Sequence, residues 1–273
     1  MNVSKTKGVF IMTTGDFHNQ VAIITGAGSG IGQAAAMRLA QSGAKVALFD
    51  LIDKRTDTTK QVINEQFPGH AEAYDVDITN DVRVQKAVEE VVQQFGGVHI
   101  VFANAGINGT LAPVEELSLE EWQKTLDVNL NGTFLTVKHT VPYLKKQGGS
   151  IVITSSINGN DRFAGFGMSA YSTTKAGQVA FSKMLALELA KYNIRVNAIC
   201  PGAIDTNIGS STEISNELQE IVIPVEYPEG SQPLAHAAGK AHQVADLVAF
   251  LASSQASHIT GARIVIDGAE SLL

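Results

Sequence analysis

One cysteine, Cys200, stands in 273 residues, so no intramolecular disulfide can form, and its place at the end of an apolar strand marks a small buried side chain rather than a nucleophile. No stretch approaches the 18 or more apolar residues of a membrane-spanning helix. Lys5 and Lys7 precede an apolar patch of only Val9 to Met12, too short for a secretory core. Runs of Lys or Arg beyond pairs such as Lys145-Lys146 are missing, and the net charge is −7. That balance excludes nucleic acid or an anionic membrane as the main partner and points to a small, weakly charged substrate in the cytoplasm. The seven histidines show no metal-ligand spacing, His236 and His242 merely flanking a loop, so no catalytic metal is expected.

What the chain does have is a 44% hydrophobic content, ample for one large core, with no repeat, low-complexity tract or linker. Short β-branched runs alternate with longer amphipathic stretches, the pattern of βαβ units. Strands are expected at Val21 to Thr25, Lys45 to Phe49, Ala71 to Val76, Ile100 to Ala103, Ile151 to Thr154, Arg195 to Ile199 and Arg263 to Ile266. Several are apolar from end to end, as in a parallel sheet covered on both faces. Helices are expected near 31–41, 54–66, 80–95, 119–146, 170–191 and 241–253. The expectation is a single α/β domain over 19–273, doubly wound, with a seven-stranded parallel sheet, behind a tail at 1–18. Residues 205–240, with Pro224, Pro228 and Pro233, break any long periodicity and read as an insertion over a site.

After the first strand comes Thr25-Gly26-Ala27-Gly28-Ser29-Gly30-Ile31-Gly32 and then an Ala-rich helix. Glycines here permit a tight turn and close approach of a pyrophosphate to N–H groups at a helix N-terminus. The pattern G-x-G-x-x-G fails in this register, because Ile31 and Gln33 sit where a third glycine would be needed. Asp50 ends the second strand, twenty residues after Gly30. A carboxylate there accepts hydrogen bonds from ribose hydroxyls and repels a 2′-phosphate, which favours NAD over NADP. Leu51 follows it, while Lys54 and Arg55 are cations close by.

Tyr171 and Lys175, four apart on a helix, project from one face. An ammonium so placed can lower the phenol's pKa toward that of a general base. Taken alone the pair is also what an amphipathic surface offers. With the glycine turn, Asp77-Ile78-Thr79, Asn104-Ala105-Gly106, Asn129 in Val-Asn-Leu-Asn-Gly-Thr-Phe, Ser155-Ser156, Pro201-Gly202 and Thr260-Gly261 to Asp267-Gly268, all in order, the chain resembles the short-chain dehydrogenase/reductase family over about residues 20–269.

The resemblance implies a Rossmann fold, a homotetramer, and an NAD site formed by Gly26, Ser29, Gly30, Ile31, Gly32, Asp50 and Leu51, with Asp77 and Ile78 at the adenine. Asn104, Ala105 and Gly106 support the cofactor, Pro201 and Gly202 follow, and Ile204 and Thr206 meet the nicotinamide. It further implies a catalytic set of Asn129, Ser156, Tyr171 and Lys175. Lys175 also binds the nicotinamide ribose, and Asn129 holds a water on the proton path. Asn104 as a turn residue and Asn129 as a buried helix asparagine are the plainer readings. Two extra residues separate Ser156 from Tyr171 relative to the family, assigned here to the loop Arg162 to Met168, and Ser155 is the alternative hydroxyl. The expected activity is NAD-dependent interconversion of a secondary alcohol (a sugar, polyol, hydroxy acid or similar) and its ketone. Reduction of a 3-oxoacyl thioester on an acyl carrier is the second enzyme reading, and an NAD-binding regulatory protein the non-enzyme one.

Overall fold

The computed structural model describes residues 17–51, 53–163, 165–227 and 230–273. Most of the expected N-terminal tail lies outside these. Its last part does not behave as a tail: Phe17 is buried, and its N–H donates to the Ser42 carbonyl at 2.9 Å.

The chain begins with β1 (Val21–Thr25), α1 (Gly30–Gln41), β2 (Lys45–Asp50), α2 (Asp53–Gln66), β3 (Ala71–Asp75), α3 (Asp81–Phe95), β4 (Ile100–Ala103) and β5 (Gly109–Leu111). It continues through α4 (Leu119–Leu126), α5 (Gly132–Leu144), β6 (Gly149–Thr154), α6 (Ser169–Leu189), β7 (Ile194–Pro201) and β8 (Ile204–Asp205). Last come β9 (Thr212–Ile214), α7 (Leu218–Ile221), β10 (Gly239–Lys240), α8 (Ala241–Ala252) and β11 (Arg263–Ile266). Seven strands form one parallel sheet in the order β11-β7-β6-β4-β1-β2-β3. β1, β4 and most of β6 are buried throughout, so their apolar runs serve two layers of helices. Val46, Leu48, Leu39 and Val248 pack in the layer that contains α1 and α8. On the other face Val84, Val88, Val137, Leu185 and Leu189 pack α3, α5 and α6 against Ile23, Val101 and Ile151. This is the doubly wound α/β Rossmann fold.

The order in which strands are added reverses between β1 and β4. The crevice beyond their carboxyl ends is where such sheets place ligands. Two local features were not expected. The helix anticipated over 119–146 is two helices joined by a wide π-helical turn, Asp127–Asn131, in which the Gly132 N–H reaches back five residues to the Asp127 carbonyl. Such a bulge accommodates an extra residue and re-aims its side chains. Short parallel pairs also fasten the 205–240 insertion, β8 with β10 at its base and β5 with β9 over the crevice.

Candidate active site

The glycine turn joins β1 to α1, and its glycines are there for space. A Cβ on Gly32 would lie 2.1 Å from the Gly26 carbonyl oxygen, and one on Gly28 would lie 2.9 Å from Asp50 Oδ2. Gly26 and Gly30 take φ of 67° and 55°, a region that side chains disfavour. Ser29, at the N-cap of α1, makes no side-chain cap bond. The turn therefore presents bare backbone N–H groups at a positive helix end, which suits an anion.

Asp50 is held by two backbone donors. Gly28 N–H reaches Oδ2 and Leu51 N–H reaches Oδ1, each at 2.8 Å. The carboxylate lines the cavity at this end. Arg55 lines the same end of the cavity.

Thr25 Oγ1 accepts the N–H groups of Asn104 and Ala105 at 2.9 and 3.0 Å, while Asn104 Nδ2 donates to the Thr25 carbonyl and Asn104 Oδ1 accepts from Thr154 Oγ1. Asn104 thus ties the ends of β1, β4 and β6 together as well as facing the cavity. Asp77 Oδ1 accepts the N–H and hydroxyl of Thr79, an Asx-type turn that fixes the start of the loop before α3.

The other end is built on α6. Tyr171 and Lys175 are buried one turn apart, with Lys175 Nζ 5.4 Å from the tyrosine ring centre. Lys175 Nζ donates to the Thr154 carbonyl at 2.9 Å. The Ser156 side chain acts on the Tyr171 hydroxyl so as to favour its ionised form, and Ser156 Oγ accepts the Asn158 N–H at 3.1 Å. Ser155 points elsewhere: its Oγ donates to the Lys175 carbonyl at 2.7 Å and accepts from Asn160 Nδ2 at 3.0 Å. Both serines line the cavity, but Ser155 Oγ is engaged with the Lys175 carbonyl, and Ser156 is the one that acts on the Tyr171 hydroxyl.

Electrostatics differ from the sequence expectation. Burial pushes the Tyr171 phenol upward, against the Ser156 hydrogen bond, and the neighbouring Cys200 thiol adds to the rise. Burial also pushes the Lys175 ammonium down, to about 8. For Tyr171, desolvation outweighs the lowering influence of Ser156.

Asn129 is fully buried in the wide turn. Its Oδ1 accepts the Ile107 N–H at 2.9 Å, and its Nδ2 donates to the Ile107 carbonyl at 3.0 Å and Thr174 Oγ1 at 3.1 Å. Its own carbonyl accepts from Thr133 Oγ1 and Gln178 Nε2 at 2.7 and 2.8 Å. Both plain roles anticipated for the two asparagines are therefore real. A Cβ on Gly106 would come within 3.0 Å of Asn129 Oδ1 and 3.5 Å of Lys175 Nζ.

One cavity of about 610 Å³ brings these parts together. Gly26, Ser29, Gly30, Ile31, Asp50, Leu51, Asp77, Ile78, Asn104, Ala105, Gly106, Ser156, Tyr171, Lys175, Pro201, Gly202, Ile204 and Thr206 line it. Gly32 and Asn129 stand behind the lining. A Cβ on Gly30 would be 3.2 Å from Thr206, so the first residues of the insertion lie over the glycine turn. Sequence reasoning gave no site role to Asn108, Ser210 or Ser211, which also line the cavity. Asn108 N–H donates to Ser211 Oγ and its Nδ2 to Thr212 Oγ1, joining the insertion to the segment after Gly106. Nearness to Asn104-Ala105-Gly106 was the only signal that could have found it. Among the described residues no three His, Cys, Asp or Glu side chains gather as a metal site.

The cavity fits a dinucleotide: a glycine cradle at a helix N-terminus, a carboxylate at the end of β2, and a buried Tyr/Lys/Ser cluster beyond. Comparison with known proteins agrees. The family profile described as enoyl-(acyl carrier protein) reductase matches residues 26–269. A cyclohexanol dehydrogenase of Acinetobacter sp. (strain SE19) is 38% identical over 256 residues, covering 93% of this chain and 95% of its own. The crystal structure of a 3-ketoacyl-ACP reductase from Sinorhizobium meliloti 1021 superposes with a TM-score of 0.89 at 47% identity, over 92% of this chain and 99% of that one. A 3-ketoacyl-(acyl-carrier-protein) reductase from Brucella melitensis, complexed with NADH, gives a TM-score of 0.81 at 31% identity, over 93% and 99%. The chain belongs to the short-chain dehydrogenase/reductase family and is an oxidoreductase acting on an alcohol/ketone pair.

Proposed function

We propose that this enzyme uses NAD in preference to NADP to interconvert a small, uncharged secondary alcohol and its ketone, with Tyr171 as the acid/base. One observation carries the reading: Tyr171, with Lys175 Nζ 5.4 Å from its ring centre, lines the same cavity as Ser156 and Asp50. The bound nicotinamide supplies the hydride acceptor or donor, and the residues of the chain handle the proton and the orientation.

In the reductive direction the raised phenol is protonated at neutral pH and donates its proton to the ketone oxygen. In the oxidative direction the reaction starts from the Tyr171 phenolate, the minor form at neutral pH, which the Lys175 ammonium, charged below about pH 8, stabilises; its Oη takes the alcohol proton and becomes the neutral phenol. Ser156 Oγ accepts the Asn158 N–H, which directs its own proton forward, to the reacting oxygen. That is a modest stabilisation of developing negative charge. Asn129 Oδ1 and Lys175 Nζ both face the bare α-carbon of Gly106, and a water bridging the two is part of the proposal. Such a water carries the proton from Lys175 outward.

At the cofactor's adenosine end Asp50, fixed by Gly28 and Leu51 and lining the cavity, places a negative charge that accepts from ribose hydroxyls and repels a phosphate there. Asp77 and Ile78 flank the adenine, and Ile204 and Thr206 the nicotinamide. The Brucella structure with NADH supports the same choice.

The substrate-side charge favours a small neutral molecule. Lys124, Arg162 and Lys240, the cations around the insertion, are ion-paired with Glu213, Glu270 and Asp205, and the chain carries a net charge of −7. An acidic carrier protein would find little to bind. Reduction of a carrier-linked 3-oxoacyl thioester is the second reading, favoured by the Sinorhizobium likeness. Exposed Phe134, Met184 and Leu187 on α5 and α6 support self-association, read here as a cytoplasmic homotetramer. The test is hydride transfer across cyclic and acyclic secondary alcohols, polyols, aldoses and hydroxyacyl thioesters, each with NAD and NADP. Neutral alcohols with NAD are expected to lead; a lead by hydroxyacyl thioesters or by NADP contradicts the reading.

A further inference from the structure

The loop after Ser156, the insertion and the last residues of the chain meet at one carboxylate, Glu270. After β11 the chain turns sharply. Asp267 Oδ1 accepts the Ala269 N–H at 3.0 Å and Oδ2 the Ser271 N–H at 2.8 Å. Gly268 and Ala269 take φ of 60° and 71°. A left-handed alanine is disfavoured by its Cβ, so the surrounding contacts impose it. The result is that Glu270 points back toward the end of β7. Its side chain is 13% exposed.

Three segments converge on it. Glu270 Oε1 receives Arg162 Nη1 at 2.9 Å, from the loop after Ser156. Oε2 receives the Ala203 N–H at 2.7 Å and Gln232 Nε2 from the insertion. Arg162 Nη2 continues to the Tyr227 hydroxyl at 3.0 Å, with the guanidinium 5.5 Å from that ring's centre. Gly202 is needed for the approach, since a Cβ there would lie 2.6 Å from Glu270 Oε2. Gly202 and Ala203 line the cavity beside Ile204.

A carboxylate with three donors, one of them a guanidinium, is a strong and directional anchor. The Gly202 N–H also donates to the Ile266 carbonyl at 3.1 Å and the Ala203 carbonyl accepts the Gly239 N–H at 2.9 Å; Glu270 adds the charged contact, at the Ala203 N–H. We propose that Glu270 is a positioning residue for the nicotinamide end of the cofactor, setting the place of the Gly202–Ala203 backbone and locking it to the Arg162 loop and to the insertion. This rests on the dinucleotide reading of the cavity. Glu270 touches neither substrate nor the reacting atoms, so it acts through the backbone it holds.

The consequence is local to one half of the ligand. Glu270→Gln keeps the shape, but its amide nitrogen must face either Arg162 or the Ala203 and Gln232 donors, and one side of the junction becomes repulsive. NADH, which has the nicotinamide, is expected to bind about tenfold more weakly, the loss of roughly one charge-assisted hydrogen bond. ADP-ribose, which lacks the nicotinamide but keeps the Asp50 end, is expected to hold its affinity within about twofold. Arg162→Gln leaves the Ala203 bond in place and should give a smaller loss for NADH with the same indifference to ADP-ribose; it serves if the first variant does not fold.

Both affinities are read on the full-length enzyme, by NADH fluorescence and by calorimetry for ADP-ribose. Selective loss for NADH supports the proposal. Unchanged NADH binding, or equal weakening of both ligands, overturns it. Failure of the unmodified enzyme to bind NADH sinks the dinucleotide reading itself, a result distinct from either of these.

Discussion

Replacing Lys175 with methionine should make the cofactor-free protein more stable while removing its activity. Burial pushes the Lys175 ammonium from its ordinary value of 10.5 to about 8. Each pH unit of displacement is worth about 1.4 kcal/mol, so keeping the charged form inside costs the fold on the order of 3 kcal/mol at neutral pH. Methionine removes that cost and fills similar space, but gives up the bond from Nζ to the Thr154 carbonyl, a loss of about 1 kcal/mol. The net expectation at pH 7 is a gain of about 2 kcal/mol, or roughly 5 °C in Tm for a domain of this size.

The pH dependence gives the sharper check. Below about pH 8 lysine is charged in both folded and unfolded chains, and the full cost is present. Between about 8 and 10.5 the folded chain has released the proton and the unfolded chain still holds it, so stability from this group climbs as pH rises. The advantage of Lys175→Met should therefore shrink across that window. Urea melts of both proteins at pH 7, 8.5 and 10 measure it. A variant less stable than the parent at pH 7, or an advantage that stays constant with pH, refutes the reasoning.

Gly106→Ala places a methyl group against Asn129 Oδ1 and Lys175 Nζ; turnover should fall by about tenfold while NADH affinity stays near that of the parent, checked by steady-state rates and fluorescence titration. Asp50→Ser removes the carboxylate but leaves Arg55 on the same cavity wall. The ratio of kcat/KM for NADP over NAD should rise by about tenfold or more, from loss of repulsion between charges.

How much of this was legible beforehand varies with how local each feature is. The strands β1, β4 and β6 declare themselves because burial on both faces gives each an apolar run, at 21–24, 100–103 and 151–153. Tyr171 and Lys175 are legible because four residues make one helical turn. Asp50 is legible because it ends a strand at a fixed distance from the glycine turn. The pairing of β5 with β9 joins Gly109 to Thr212, and three-residue strands so far apart leave no periodic trace. The wide turn at Asp127–Asn131 sits inside a continuous helical pattern, and only the backbone shows the extra residue. Ser155 and Ser156 are equivalent in composition; a half-turn of the chain sends one to the Lys175 carbonyl and the other to Tyr171. The direction of the Tyr171 displacement was missed for a related reason. Spacing reveals the neighbouring charge, while the depth of burial that raises the phenol belongs to the tertiary structure. Glu270 escaped as well, since its partners Arg162, Ala203 and Gln232 are dispersed along the chain.

The central claim is that the Tyr171 hydroxyl carries the proton in a cavity that holds the nicotinamide. Tyr171→Phe keeps the ring and the packing and removes only that oxygen. Single-turnover hydride transfer from NADH to a ketone accepted by the parent, measured beside NADH affinity, tests it most directly. The account predicts a rate lower by about a thousandfold or more, within the range attributed to a positioned acid/base, with NADH affinity close to that of the parent. Hydride transfer at a rate near the parent's would contradict it.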